Sequence, residues 1–242
     1  GATAALFALA GAASVLFVAI AAVMRAGTLD RLDAAIELAV HRLDSAPADV
    51  AMKAATLIGS SAVVLPVVAL VALVAVRLRR RAVAIVLAID AVAVIAAYSA
   101  LKVLFSRERP RLFDKIALPT DYSFPSGHSM SALGIYGVVA AALIALYPRA
   151  RAPALVAAAL LVVAVGLSRI YLGVHWPSDV VAGWLGGVPP LVAGVYLIRR
   201  DAARSGPEAG PRGSMTRGRG RYQPSGAGGF HRDGPCGPVV SL

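Results

Sequence analysis

Apolar residues run along this chain in long unbroken stretches rather than at the alternating spacing of a half-buried strand or the stripe of a surface helix. Residues 4–24 and 54–76 carry no charged side chain, and at about 1.5 Å per residue each crosses the roughly 30 Å of bilayer hydrocarbon. Residues 82–104 are interrupted by Asp90 and, near the end, by Lys102. Residues 129–147, 152–168 and 180–198 are uncharged and shorter, with 152–168 closest to the lower limit for a span. In lipid a backbone must satisfy its own polar groups, so these stretches are helices. The pattern predicts an all-α protein, a six-transmembrane helical bundle. Alanine and valine dominate the stretches, which suits closely packed helices and equally reflects a compositional bias.

Between the first two stretches the pattern changes. Leu29, Leu32, Ile36, Val40 and Leu43 recur at helical spacing behind a Thr28 cap, with Asp30, Asp33, Glu37 and Asp44 on other faces. This fits an amphipathic helix on the outer interface and, equally, a solvated connector packed over the bundle. The first apolar stretch is longer than a signal-peptide core and has no basic residue before it, so it is expected to stay as a helix. From Asp201 onward Gly, Pro, Ser and Arg prevail, including Arg217-Gly218-Arg219-Gly220-Arg221. That composition predicts residues 1–200 as the membrane domain and 201–242 as a disordered, solvated cytoplasmic tail.

Composition agrees with this layout. The chain has 242 residues, 58% hydrophobic and 15% charged, too apolar for an ordinary soluble domain. Its formal charge of +11 raises the question of nucleic acid, but the arginines sit at the ends of apolar stretches, where they set topology instead. Arg77, Arg79, Arg80 and Arg81, then Arg149 and Arg151, then Arg199 and Arg200 fall on one side of a six-span bundle. The positive-inside rule makes that side cytoplasmic, together with both termini. A multi-pass protein of the cell membrane is expected. The single cysteine, Cys236, leaves no disulfide framework and no thiolate metal site.

The opposite, extracytoplasmic connections hold the candidate chemistry. Lys102 ends the third stretch and Arg109-Pro110 follows in the loop, so a compact ammonium and a planar guanidinium can reach one anion. Pro125-Ser126-Gly127-His128 opens the fourth. Ser126 is a natural N-cap, and first-turn amides with the helix dipole suit an anion; a plain cap explains Ser126 and Gly127 but not His128. Ser168-Arg169 closes the fifth, and His175 and Asp179 follow at i and i+4 across Pro177-Ser178. A carboxylate accepting from one imidazole nitrogen sets the tautomer and frees the other nitrogen to attack. A metal site is the competing reading of His128, His175 and Asp179, but Lys102, Arg109 and Arg169 would repel a cation and only one carboxylate is at hand.

Taken together, Lys102 with Arg109-Pro110, Pro125-Ser126-Gly127-His128, and Ser168-Arg169 with His175 and Asp179 resemble the three-part signature of the type 2 phosphatidic acid phosphatase superfamily, at every signature position. The resemblance covers the third to sixth spans. It implies a phosphatase that needs no metal and no cofactor. His175 would attack phosphorus to form a phosphohistidine, Asp179 would orient it and His128 would protonate the leaving oxygen. Lys102, Arg109, Ser126, Gly127 and Arg169 would hold the phosphate oxygens.

A site at the extracytoplasmic membrane interface suits an amphiphile whose tail stays in lipid. The expected substrate is a membrane lipid phosphate or diphosphate: a polyprenyl diphosphate first, phosphatidic acid or phosphatidylglycerol phosphate next. No nucleic-acid partner is expected, and the sequence names no protein partner. Two other readings are a lipid phosphotransferase, since another hydroxyl can intercept a phosphohistidine, and a non-catalytic phospholipid binder or translocator. Asp90, an intramembrane carboxylate away from the motifs, is expected to find a structural partner inside the bundle.

Overall fold

A computed structural model describes residues 1–113, 116 and 118–204; the tail predicted from its composition lies almost wholly outside them. The described residues form α1 (Ala2–Arg25), α2 (Asp30–His41), α3 (Ala46–Ile58), α4 (Ser61–Arg77), α5 (Arg81–Phe105), α6 (Gly127–Leu146), α7 (Arg151–Tyr171) and α8 (Pro177–Arg204), with a 3₁₀ turn at Pro148–Ala150. Among the described residues five helices are long and apolar enough to cross a membrane: α1, α5, α6, α7 with its preceding turn, and α8. α3 and α4 together make a sixth candidate, bent by 51°.

That bend departs from the single span expected over residues 54–76. Ser60 is extended and begins α4, and its hydroxyl donates to the Leu57 carbonyl at 2.6 Å. Close packing explains the place of the break. A Cβ at Gly59 would lie 2.4 Å from Val165 Cγ1 and 3.2 Å from His128 Cδ2. Only a glycine lets this corner press against α7 and the start of α6.

The core is built around α6, which is apolar on every side and packs most extensively on α8. Between membrane helices there is little hydrophobic gain in contact itself, so backbone proximity and fit carry the association. At Gly183 of α8 a Cβ would stand 2.6 Å from the Ser126 carbonyl oxygen. Its absence lets α8 cross directly over the N-terminus of α6. α1, by contrast, buries only Ala13, Ala21 and Met24, and presents Leu9, Val15, Leu16 and Val18 outward as a surface suited to lipid.

α2 also departs from expectation. It begins after Leu29 with no side-chain cap, so Thr28 does not play that part. Its faces are inverted relative to a helix on a soluble protein. Asp33 and Glu37 are 2% and 0% exposed, whereas Leu32 and Leu38 are 56% and 45% exposed. Asp33 faces the bundle because it meets the Arg107 guanidinium there at 2.8 Å. In α5, Asp90 is buried as expected, but among the described residues its Oδ2 has no hydrogen-bond partner.

The two ends of the bundle are tied differently. At one end Arg80, just before α5, pairs with Asp201 near the end of α8 at 3.0 Å. At the other, Arg25 closes α1 by donating to the Leu104 carbonyl at 2.9 Å, and the Ser126 amide donates to the Asp179 carbonyl at 3.0 Å. This second end gathers the ends of α5 and α7 with the starts of α6 and α8, and with them all three motifs.

Candidate active site

The start of α6 is shaped by its cap. Ser126 is extended and fully buried, and its Oγ accepts from the Ser129 amide at 3.4 Å and from the Ser129 hydroxyl at 3.0 Å. Ser126 therefore stands behind the first turn, while Gly127 and His128 line a cavity of about 200 Å³. Lys102, Arg109, Arg169 and His175 line the same cavity. Of the eight residues singled out from the sequence, six border this space, and Ser126 and Asp179 support it from behind.

Lys102 and Arg169 are 6% and 4% exposed, and buried cations need partners. Lys102 Nζ donates to Asp121 Oδ2 at 2.5 Å and to the Tyr122 carbonyl at 2.8 Å. Arg109 donates through Nη2 to Asp121 Oδ1 at 2.6 Å and through Nη1 to the Val174 carbonyl at 2.5 Å. Asp121 thus bridges two of the cations. Burial works against its charge, but the hydrogen bonds and charges of Lys102 and Arg109 outweigh it and hold the carboxyl below the usual range. Arg169 Nη1 donates to the Thr56 hydroxyl, and its Nε has no partner among the described residues.

His175 is 1% exposed. Its Nε2 lies 3.1 Å from Arg109 Nη1. A guanidinium only donates, so Nε2 is the unprotonated nitrogen and Nδ1 carries the hydrogen. Nδ1 faces Asp179 Oδ2 at 3.5 Å and Ser123 Oγ at 3.3 Å. Burial first, then the charges of Arg169, Arg109 and Lys102, keep His175 well below its ordinary value. The ring is neutral at physiological pH, with a lone pair directed at the cationic cavity.

Asp179 is held from several directions. Its Oδ2 accepts from the Ser123 hydroxyl and from the Trp176 amide, the latter at 3.0 Å, and its Oδ1 accepts from Arg107 Nη1 at 2.6 Å. Sequence reasoning passed over Arg107, Asp121, Ser123 and the pair Asp33 and Glu37. Arg107 lies inside the first motif but at none of its signature positions. Asp121 and Ser123 sit in an irregular loop, where periodicity is silent. The i, i+4 spacing of Asp33 and Glu37 was visible, but it reads as a solvated stripe.

One end of the helical bundle closes over three buried cations and two histidines, in a polytopic protein. Residues 80–201 match the PAP2 superfamily, and the chain belongs to that family. It is similar to phosphatidylglycerophosphatase B of Bacillus subtilis, 39% identical over 35% of this chain and 42% of the relative. It is also similar to an undecaprenyl-diphosphatase of Sulfolobus acidocaldarius, 36% identical over 45% of this chain and 52% of the relative. The chain thus spans about half the length of these curated relatives. The crystal structure of a transmembrane PAP2-type phosphatidylglycerolphosphate phosphatase from Bacillus subtilis superposes with a TM-score of 0.73 at 25% identity, covering 82% of this chain and 98% of that one. The protein is a multi-pass membrane protein with that transmembrane fold.

Proposed function

We propose that this protein is a lipid phosphate or diphosphate phosphatase that works through a phosphohistidine and needs no metal. The observation that carries the reading is the His175 ring, with Nδ1 toward Asp179 and an unprotonated Nε2 among three cations. Nε2 attacks phosphorus as the bond to the leaving oxygen breaks, and His128 supplies the proton that oxygen takes. Water then attacks the phosphohistidine, giving its proton back to His128, and inorganic phosphate leaves with the Nε2 lone pair restored. Lys102, Arg109 and Arg169 stabilise the negative oxygens of the transferring group, aided by the Gly127 amide in a turn shaped by Ser126. A phosphate oxygen takes over the Arg109 hydrogen bond that Nε2 accepts in its absence.

The arginine bias supports an orientation with the termini and the Arg80–Asp201 end in the cytoplasm and the site at the outer membrane interface. The cavity border at Gly59, Ser61 and Tyr98 lies between the α3–α4 corner and α5, which suits a headgroup whose tail remains in lipid. A polyprenyl diphosphate is the first substrate to test, in keeping with an outward site. Phosphatidylglycerol phosphate is the second, favoured by the superposed relative.

The test is phosphate release by purified protein from polyprenyl diphosphates, phosphatidylglycerol phosphate and phosphatidic acid, with chelator present and His175→Ala as control. Release that disappears in the variant ranks the substrates. Absence of release from folded protein on every lipid would turn the reading toward phosphotransfer or binding, and rescue only by added metal would overturn the metal-free mechanism.

A further inference from the structure

The charge network does not end at Asp179. Arg107 has its side chain 10% exposed and lies behind the cavity rather than in it. Its Nη1 donates to Asp179 Oδ1 at 2.6 Å and to Ser178 Oγ at 2.8 Å, and its Nη2 donates to Asp33 Oδ2 at 2.8 Å. Asp33 also accepts from the Ser178 amide at 2.9 Å and from the Ser178 hydroxyl at 2.5 Å. The carboxylate of α2 therefore both anchors Arg107 and caps a free amide in the first turn of α8. Trp176 covers the outer face of the guanidinium, 5.4 Å from Arg107 Cζ to the ring centre.

We propose that Arg107 and Asp33 are positioning residues for the reaction: they hold Asp179 behind His175 and make α2 a brace behind the active site. The inference rests on the phosphatase reading. Asp179 orients His175 only if it stays an acceptor toward Nδ1. Ser123 and the Trp176 amide occupy Oδ2, and Arg107 is the cation that grips Oδ1. Arg107 in turn is fixed by Asp33 rather than by solvent. Asp30, 67% exposed and 3.6 Å from Nη2, contributes only at the rim. The planar guanidinium suits this place because it serves two carboxylates and a hydroxyl at once, which an ammonium on a flexible stem cannot match.

A bolt that merely joins α2 to α8 would lower stability and leave the chemistry of the folded fraction alone. A positioning pair changes turnover of folded enzyme without changing phosphate binding. The experiment measures kcat, KM and thermal unfolding for Arg107→Gln, Arg107→Lys and Asp33→Asn, on the substrate that the wild type turns over. Arg107→Gln is expected to lower kcat on the order of 10- to 100-fold, the scale of loss when a reacting group is slightly misplaced, with KM within about twofold. Arg107→Lys restores part of that loss, and Asp33→Asn, which keeps an oxygen for the Ser178 amide, gives a smaller one. In an Asp179→Asn background, Arg107→Gln adds little, because both act through one group.

Unchanged kcat per folded protein, a loss confined to KM, or full multiplication of the losses in the Asp179→Asn background would each overturn the proposal. Failure of both Arg107→Gln and Asp33→Asn to fold where His175→Ala folds would reduce the pair to a folding element and overturn it too. A wild type that releases no phosphate refutes the phosphatase reading itself and this inference with it. Failure of the inference alone leaves wild-type turnover intact.

Discussion

Arginine does opposite work at the two ends of this bundle. At the Arg80–Asp201 end, Arg77, Arg79, Arg81, Arg149 and Arg151 are exposed. At the other end Arg169 is 4% exposed, and the side chains of Arg107 and Arg109 are 10% and 6% exposed. Exposed charges at helix ends cost little and act collectively, as a bias on which way the bundle sits in the membrane. Buried ones each carry a desolvation penalty that only a specific acceptor offsets. Where a basic residue is tolerated in the interior of a membrane protein, the reason is to be sought in what it binds.

The contrast sharpens most at Arg169, whose Nε has no protein partner among the described residues. Arg169→Ala is expected to lower kcat/KM by roughly 10²- to 10³-fold, the usual loss when one donor to a transition-state charge is removed. A loss below tenfold on the best substrate would break the distinction between the two ends. Detergent assays on purified protein check it directly.

Glu37 gives the acidic counterpart. It is fully buried, and neither carboxylate oxygen has a hydrogen-bond partner among the described residues. Burial, and after it the charges of Asp179 and Asp33, push it from 4.5 up to about 8 against the opposing pull of Arg107. At neutral pH it is protonated and leaves Arg107 to Asp33 and Asp179. Between about pH 4.5 and pH 8 the folded protein keeps a proton that the unfolded chain has lost, so this group's contribution to stability falls as pH rises through that window. Glu37→Gln is expected to remove the slope and to exceed the wild type at pH 8 by on the order of a few kcal/mol. Thermal unfolding of both proteins across the window isolates the effect, and parallel curves would refute it.

The smallest effect belongs to the exposed end. Arg79→Gln together with Arg81→Gln is expected to leave kcat/KM of purified protein within about twofold, since surface charges this far from the site are screened. Under the proposed orientation, the same pair shifts the fraction of protein in cells with the 111–124 loop outside, read by labelling an engineered cysteine in that loop from outside. A large loss of turnover in detergent would show that the two ends are not independent.

Much of this was legible in the sequence, and the gaps have physical causes. Apolar length sets the spans because lipid admits few alternatives, and the three motifs meet because an even number of crossings separates the last two. The α3–α4 corner was not foreseen. Gly59, Ser60 and Ser61 are too small and neutral to interrupt an apolar average, although they allow the backbone contact with Val165 and His128. The facing of α2 was left open by the sequence, because amphipathic spacing does not say which face meets the bundle. With lipid beside the bundle, Leu32 and Ile36 can face out and Asp33 can turn in toward Arg107. Asp121, which bridges Lys102 and Arg109, lies outside the helices, where no repeat marks it.

The inward acids of α2 also set an order on the assembly of the chain during synthesis. Asp33 meets its cation 74 residues later, at Arg107, and the amide it caps 145 residues later, at Ser178. Until both are made, Asp33 lacks the two partners that hold it in the folded protein. α2 therefore precedes both of its partners in the order of synthesis, and the brace behind Asp179 closes only when α8 has begun.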